Sequence, residues 1–95
     1  MVSFIVRMEF REEDRERVKE YLRLLTPPSR SEPGCITYIP HLLEEGPPAV
    51  LIYEQYTNEA ALAHHRGTPH FAQYGTDGLF KLITSRKLER LEVVA

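Results

Sequence analysis

The sequence lacks the features that mark secreted, membrane-spanning or nucleic-acid-binding proteins. Its single cysteine, Cys35, cannot form an internal disulfide, so a reducing cytoplasm is the expected setting. No stretch approaches the roughly 20 apolar residues that a membrane span needs, and the first residues do not resemble a signal peptide. The formal net charge is −2, which provides no basic field for nucleic acid. We therefore expect neither a membrane nor a nucleic acid as a partner.

Motifs for phosphate and metal binding are also missing. The segment Gly75–Gly78 is too short and isolated to form a glycine-rich phosphate loop. A protein zinc site needs three or four ligands, and the chain has neither an HExxH motif nor a second cysteine. His65 and His70 are separated by a predicted helix break, so they do not form an i, i+4 pair. We therefore expect no metal and no cofactor.

The pattern of apolar residues predicts an α+β domain over residues 1–95. Val2–Phe10 alternates with period two, which predicts a strand with one fully apolar face. Arg11–Leu25 has apolar residues at helical spacing, and its charged residues are expected to form a solvated face. This helix is predicted to end near Thr26, because the Pro27-Pro28 pair disfavours continuation.

The second half of the chain supplies the remaining elements. Cys35–Pro40 and Ala49–Thr57 are predicted strands, and their closeness in sequence predicts a hairpin. Asn58 is expected to cap a helix that reaches about His65, breaks at Gly67 and resumes at a second cap, Thr68. Arg86–Val94 is predicted as a charged edge strand.

The predicted order is β-α-β-β-α-β, the ferredoxin-like pattern of one antiparallel sheet with helices on one face. No element remains to cover the second face of the sheet, and the first strand has an apolar residue, Ile5, on that face as well. A second copy packed sheet against sheet would cover it. We therefore predict a homodimer.

Three of the four histidines fall in Ala60–Tyr74, and imidazole exchanges protons near neutral pH. The adjacent His64 and His65 point roughly 100° apart on a helix, so only one can face the sheet. His65 lies on the same side as Leu62 and is the favoured inward residue, although a shift of one residue in register would exchange it with His64. His70 is expected to line the same cavity. The alternative is that these histidines are surface or capping groups.

Glu54 lies in the middle of the strongest predicted strand, where a buried carboxylate needs a partner or an unusual pKa. It is expected to orient a histidine or polarise a substrate hydroxyl, or else to form a structural ion pair with Arg86 or Arg90. Tyr38 and Tyr74 offer aromatic walls with hydroxyl tips, which suit a flat, polar-edged ligand and equally an ordinary half-buried sheet.

Three runs together resemble the antibiotic biosynthesis monooxygenase family. They are Glu32-Pro33-Gly34-Cys35, the strand run Tyr53–Tyr56 and the run Ala60–Phe71, which contains an H-x-x-(S/T)PHF pattern. Within this family, the sequence resembles the branch that contains the quinol monooxygenases and the enzymes that degrade autoinducer-2. It implies a dimeric α+β barrel with a pocket between sheet and helices. Haem-degrading relatives have a tryptophan at the position of His65, and this chain has no tryptophan.

The resemblance also implies roles for individual residues. His65 and His70 match the two histidines of the pattern, and Glu54 matches the family's strand glutamate. We predict a cofactor-independent monooxygenase of a small quinol or phenol, with His65 as base and Glu54 in an orienting or charge-supporting role. His70 is predicted to hydrogen-bond the substrate, with Tyr38 and Tyr74 as pocket walls.

Two alternatives remain open. The first is an isomerase or degradative enzyme for a small hydroxylated signal molecule, which a polar, basic pocket would favour, whereas a mainly apolar pocket favours the oxygenase. The second is a non-catalytic dimeric ligand-binding module, which an absent or closed pocket would favour.

Overall fold

A four-stranded antiparallel sheet forms the base of the fold in the computed structural model, which describes residues 1–95. The strand order is β2-β3-β1-β4, and the helices lie on one face. The ferredoxin-like α+β prediction is therefore confirmed. The elements are β1 (Val2–Glu9), a 3-10 turn (Glu12–Asp14), α1 (Arg15–Arg30), β2 (Cys35–Leu42), β3 (Ala49–Tyr56), α2 (Glu59–Arg66), a π-helix (Phe71–Thr76), a second 3-10 turn (Leu79–Leu82) and β4 (Ser85–Leu91).

The core lies between the helices and the apolar face of the two central strands. The even-numbered residues of β1 from Val2 to Met8 are all buried, as their alternation predicts. They pair in register with β3, so that Phe4 lies opposite Glu54 and Val6 opposite Ile52. The hairpin of β2 and β3 is also confirmed. One polar residue, Glu54, thus lies in an otherwise apolar row of the sheet.

Helix α1 does not end at Thr26, and that prediction is wrong. The helix continues through Pro27 and Pro28 to Arg30. Proline at these two positions deprives the carbonyls of Arg23 and Leu24 of their helical donors. Both of those residues are exposed, so water can take the place of the missing N–H groups.

Hydroxyl side chains reinforce this last part of α1. Thr26 Oγ1 donates to the carbonyl of Leu22 at 2.7 Å, and Ser29 Oγ donates to the carbonyl of Leu25 at 2.8 Å. Ser29 and Arg30, beyond the two prolines, are therefore still helical. The turn itself is short and leads directly into β2.

The second face of the sheet carries no helix. Ile39, Tyr53 and Ile5 lie side by side on neighbouring strands and form an apolar row across this face. Ile39 is 42% exposed. β4 lies at one edge of the sheet, as its charges predict, and β2 lies at the other. None of the helices combines the length and the apolar character that crossing a membrane requires.

Candidate active site

Two local caps hold the helical segments that carry the histidines. The side chain of Asn58 accepts a hydrogen bond from the backbone N–H of Ala61 at 2.9 Å, which fixes the start of α2 as predicted. Thr68 links the two pieces: its hydroxyl donates to the carbonyl of His65 at 2.8 Å and accepts from the N–H of Phe71 at 3.2 Å. The break at Gly67 therefore has a defined geometry that sets His65 and His70 relative to each other.

The structure resolves which of the adjacent histidines faces the sheet. His65 is 3% exposed and lies on the same side of α2 as the buried Leu62, whereas His64 is exposed. The ring of His65 is surrounded by aromatic side chains, with ring centroids 5.2 Å from Tyr56, 5.1 Å from Phe71 and 5.8 Å from Tyr38. Its position is thus fixed by packing on several sides.

A buried carboxylate connects the two inward histidines. Glu32, which is 7% exposed, has Oε2 at 2.9 Å from Nδ1 of His65 and at 2.6 Å from Nε2 of His70. An ionised carboxylate only accepts hydrogen bonds, so both ring nitrogens act as donors in that state. The Nε2 atom of His65 makes no hydrogen bond and lies 3.8 Å from Oε1 of Glu54.

The position of Glu32 depends on a close approach by the loop that carries it. Gly34 lies directly against α2, where a Cβ atom would collide with the Cβ of Ala61. The carbonyl of Gly34 accepts from the N–H of Thr57 at 2.9 Å, and the N–H of Cys35 bonds back to the carbonyl of Glu32 at 3.1 Å. The Glu-Pro-Gly run therefore brings the loop into close contact with α2 and places the Glu32 carboxylate beside Nδ1 of His65.

A small cavity opens between the sheet and the helical segments. Its volume is about 50 Å³, which is space for roughly four water molecules. Ten of its 14 lining residues are hydrophobic. Those with polar or charged side chains are Glu54 and His65 in the interior and Arg66 and Arg86, which are exposed. The cavity is therefore apolar, with a histidine and a carboxyl group on its wall.

Burial changes the acid–base behaviour of both interior groups. Burial raises the pKa of Glu54 to about 7, partly offset by the hydroxyl of Tyr56, which donates to Glu54 Oε1 at 2.6 Å. Burial lowers the pKa of His65, while its hydrogen bond to Glu32 acts in the opposite direction. At neutral pH His65 is therefore mainly the neutral imidazole, and Glu54 is populated in both protonation states.

The expected structural ion pair of Glu54 with Arg86 or Arg90 does not form, and that alternative is wrong. Arg90 instead pairs with Glu59, with Nη1 at 2.7 Å from Oε1. Arg86 and Arg66 have no carboxylate within salt-bridge distance. Two guanidinium groups without ionic partners thus line the cavity, and their charge lowers the pKa of Glu54 against the larger effect of burial.

The structure separates the residues selected from the sequence into two groups. Tyr38, Glu54 and His65 line the cavity. His70 and Tyr74 do not: His70 bonds to Glu32, and Tyr74 packs against the main hydrophobic core. Their predicted contacts with a substrate remain predictions.

Sequence reasoning missed Glu32 and Arg66, and it named Arg86 only as an alternative ion-pair partner of Glu54. Glu32 stood in the quoted Glu-Pro-Gly run, and its acidic side chain beside two turn-forming residues was the available signal. Arg66 follows His65 directly in the quoted histidine run. Nothing in the local sequence distinguishes Arg86 from the other basic residues of β4.

The donor atoms of Glu32, His65 and His70 all lie within 4.8 Å of one another, a set that a transition metal could use. A cation held tetrahedrally at about 2.0 Å would keep its ligand atoms roughly 3.3 Å apart. The carboxylate oxygen instead lies 2.6 and 2.9 Å from the two ring nitrogens. These are hydrogen-bond distances, so in this structure the carboxylate of Glu32 is a shared hydrogen-bond acceptor for the two rings.

Comparison with known proteins agrees with this architecture. Rv0793 of Mycobacterium tuberculosis, a protein provisionally named a monooxygenase, is 34% identical over 73 residues, which span 77% of this chain and 71% of Rv0793. Its solved structure superposes with a TM-score of 0.87, 27% identity and coverage of 99% of this chain and 95% of that one. PA3566 of Pseudomonas aeruginosa gives a TM-score of 0.89 at 29% identity, covering 99% and 94%.

A third solved structure, from Bacteroides thetaiotaomicron, is described as a protein of unknown function and a possible oxidoreductase. It is 33% identical, with a TM-score of 0.85 and coverage of 97% of this chain and 96% of that one. Residues 1–76 match the family described as antibiotic biosynthesis monooxygenase, and this range contains Glu32, Glu54, His65 and His70. The chain belongs to the antibiotic biosynthesis monooxygenase family.

Proposed function

We propose that this protein is a monooxygenase of a small quinol or phenol that works without a cofactor. One observation carries the proposal. His65, with Nε2 free of hydrogen bonds, and Glu54, with its raised pKa, lie on the wall of an otherwise apolar cavity. A neutral imidazole within reach of a substrate hydroxyl is suited to act as a general base.

In this mechanism Nε2 of His65 takes the proton of the substrate hydroxyl. The resulting phenolate, which is electron-rich, reduces dioxygen and forms a bond from a ring carbon to oxygen. The peroxide anion takes the proton back from His65. His65 then removes the hydrogen of that ring carbon, the O–O bond breaks, and the leaving hydroxide is protonated to water. The sum is phenol plus dioxygen to quinone plus water, with no net change of protons on the protein.

Charge on the substrate oxygen must be stabilised inside an apolar cavity. Glu54 in its protonated form supplies a hydrogen-bond donor for this purpose, because Tyr56 occupies its Oε1 atom and leaves the other oxygen to carry the proton. Arg66 and Arg86, which have no carboxylate partners, add positive charge at the same cavity. Donors aimed at a developing oxyanion in a water-poor site contribute strongly to catalysis.

The size of the cavity limits the substrate. A volume of about 50 Å³ is well below the roughly 300 Å³ at which ordinary ligand pockets begin. A ring can enter only if side chains at the rim move, and the exposed Arg66 and Arg86 are free to do so because neither is held in an ion pair. We therefore propose a substrate that has one ring or two fused rings. A ligand of the size of haem is too large for this cavity.

Oxygen uptake by purified protein with a panel of simple quinols tests the proposal. Uptake above the uncatalysed rate under air, with no conversion under anaerobic conditions, is the expected result. His65→Ala is expected to lower turnover by roughly 10²–10⁴-fold, the usual contribution of a general base, while circular dichroism shows an intact fold. His64→Ala is the matched control, because the adjacent side chain is exposed and should leave turnover unchanged. Equal activity of both variants would reject His65 as the base.

A second candidate rests on the arginine pair. Two unpaired guanidinium groups beside a base suit an isomerase or degradative enzyme for a small hydroxylated signal molecule that carries a negative charge. Conversion of an anionic hydroxylated substrate at equal rates with and without oxygen would favour this candidate. The apolar lining and the inward-facing His65 and Glu54 support an enzyme over a non-catalytic binding module.

We also propose that the working unit is a homodimer in the cytoplasm. The row of Ile39, Tyr53 and Ile5 on the face without helices would be covered by the same row of a second copy. The unpaired Cys35, for which burial raises the pKa to about 11, is compatible with a reducing compartment.

A further inference from the structure

On the side that faces away from the cavity, the ring of His65 is held by hydrogen bonds to Glu32. Nδ1 of His65 lies 2.9 and 3.1 Å from the two oxygens of Glu32, and both side chains are almost fully buried. The second contact of Glu32, from Nε2 of His70, is shorter at 2.6 Å. His70 is 16% exposed at its side chain and separates the buried pair from solvent.

These contacts determine which nitrogen carries the proton in each ring. The buried carboxylate accepts from Nδ1–H of His65 and from Nε2–H of His70, so the neutral forms of the two rings have opposite tautomers. For His65 this leaves the lone pair on Nε2, the atom on the cavity side, 3.8 Å from Glu54. A base whose tautomer is fixed by a third group is the arrangement that nucleophile–base–acid triads use.

We propose that Glu32 is the positioning residue of the site, held by His70, and that it keeps His65 in the Nδ1–H tautomer with Nε2 open to the substrate. This inference rests on the proposed function, because it names what makes His65 competent as the base. Glu32 touches neither cavity nor substrate and acts only through His65. When His65 takes a proton, Glu32 faces the imidazolium as a buried counter-ion, which offsets the cost of charging a ring in that environment.

The role of His70 follows from the isolation of Glu32. A carboxylate that is 7% exposed needs hydrogen-bond donors within the protein, and no lysine or arginine contacts it. His70 supplies the second donor. Loss of His70 should therefore weaken the hydrogen bond between Glu32 and His65 without removing any group from the cavity.

Nitrogen-15 NMR of the histidine rings in the substrate-free wild-type protein, at a pH where the rings are neutral, is the first test. The expected result is an Nδ1–H signature for His65 and an Nε2–H signature for His70. An Nε2–H signature for His65 would overturn the proposal. This measurement requires neither a folded variant nor an active enzyme. Its result therefore tests the tautomer of His65 separately from the oxygen-uptake assay, which tests the proposed function.

Variants supply the second test. Glu32→Gln keeps the shape but removes the charge, and its amide can present either a donor or an acceptor to Nδ1. We expect a mixture of His65 tautomers and a fall in kcat of roughly 10²–10⁴-fold with little change in KM. His70→Gln, which leaves Glu32 in place, should shift the tautomer ratio of His65 in the same direction and by less. The exposed His64→Gln is the control that should move neither.

The outcomes separate the positioning role from a merely structural one and from a metal site. Loss of stability in Glu32→Gln with an unchanged His65 tautomer and unchanged kcat would overturn the proposal. Stoichiometric binding of Zn²⁺ by the wild type, lost in both Glu32→Gln and His70→Gln and required for turnover, would also overturn it. Turnover that is unaffected by chelator and sensitive to Glu32→Gln supports it.

Discussion

Gly34 and Ala61 touch so closely that no side chain fits between the loop before β2 and helix α2. Gly34→Ala should therefore force the loop away from the helix, and we expect a loss of about 1–3 kcal/mol from the free energy of unfolding, as is usual for overpacking. The same displacement would draw Glu32 away from His65. Chemical denaturation monitored by circular dichroism measures the first effect.

Gly67 offers a matched control for this substitution. A Cβ there would find its nearest neighbours, the carbonyls of Ala63 and His64, at 3.6 Å, which is ordinary contact. Its backbone has a φ of −99°, which any residue adopts. Gly67→Ala should leave stability within about 1 kcal/mol of the wild type. Equal denaturation midpoints for the two variants would contradict the close-packing argument.

Much of this architecture can be predicted from sequence because it depends on local patterns. The period-two alternation of Val2–Phe10, the Asn58 cap and the break at Gly67 each have a local physical cause, and each is found in the structure. The inward position of His65 follows from its spacing to Leu62. The local rule failed at Pro27 and Pro28, where the carbonyls that lose their helical donors belong to Arg23 and Leu24, two exposed residues that water can reach.

The contacts that complete the site are not local. Glu32 lies 33 residues before His65 in the chain, and no periodicity links the two. The placement of Arg86 requires the β1–β4 register, which pairs it with Met8 across the sheet. Strand order and one close glycine contact bring these side chains together. Neither sequence segment alone carries a pattern from which the contact could be predicted.

The raised pKa of Glu54 makes a prediction about stability and pH. Its ordinary value is 4.5 and its value in the folded chain is about 7, so the folded state binds more protons than the unfolded state between these pH values. The contribution of Glu54 to stability is therefore fully present below pH 4.5 and is lost as the pH rises through 7. Glu54→Gln removes this dependence, because glutamine does not ionise and can still accept from Tyr56.

We expect Glu54→Gln to gain stability relative to the wild type as the pH rises from 4.5 to 8, by on the order of 3 kcal/mol. Burial lowers the pKa of His65, which gives a slope of the opposite sign below pH 6.5. That contribution is shared by both proteins and largely cancels in their difference. Urea midpoints measured across this pH range test the prediction, and a difference that stays constant with pH would reject it.

The unpaired arginines predict a charge preference in binding. Arg86→Gln and Arg66→Gln should each raise KM for a carboxylated quinol by roughly fivefold or more, since each removes a charged partner worth about 1 kcal/mol, and should affect an uncharged quinol less. Arg90→Gln is the control, because Arg90 is on the same strand as Arg86 but pairs with Glu59. A uniform change for charged and uncharged substrates would argue against anion recognition at the rim.

The face of the sheet without helices predicts the state of assembly. Tyr53 lies in the middle of the row that joins Ile39 and Ile5, so Tyr53→Lys would place a charge at the centre of the proposed interface. We expect the wild type to sediment as a dimer and Tyr53→Lys as a monomer, because a buried unpaired charge costs several kcal/mol. Glu20→Lys, on the exposed side of α1, changes charge away from this face and should remain a dimer.

Analytical ultracentrifugation over a range of concentrations distinguishes these cases. A wild-type monomer at all concentrations would show that the apolar row is tolerated in water and would remove the argument for a second copy. Dimers of Tyr53→Lys as stable as those of the wild type would place the interface elsewhere on the chain. Monomeric Tyr53→Lys that keeps its turnover would show that each cavity works alone, as expected if Glu32, Glu54 and His65 of one chain suffice.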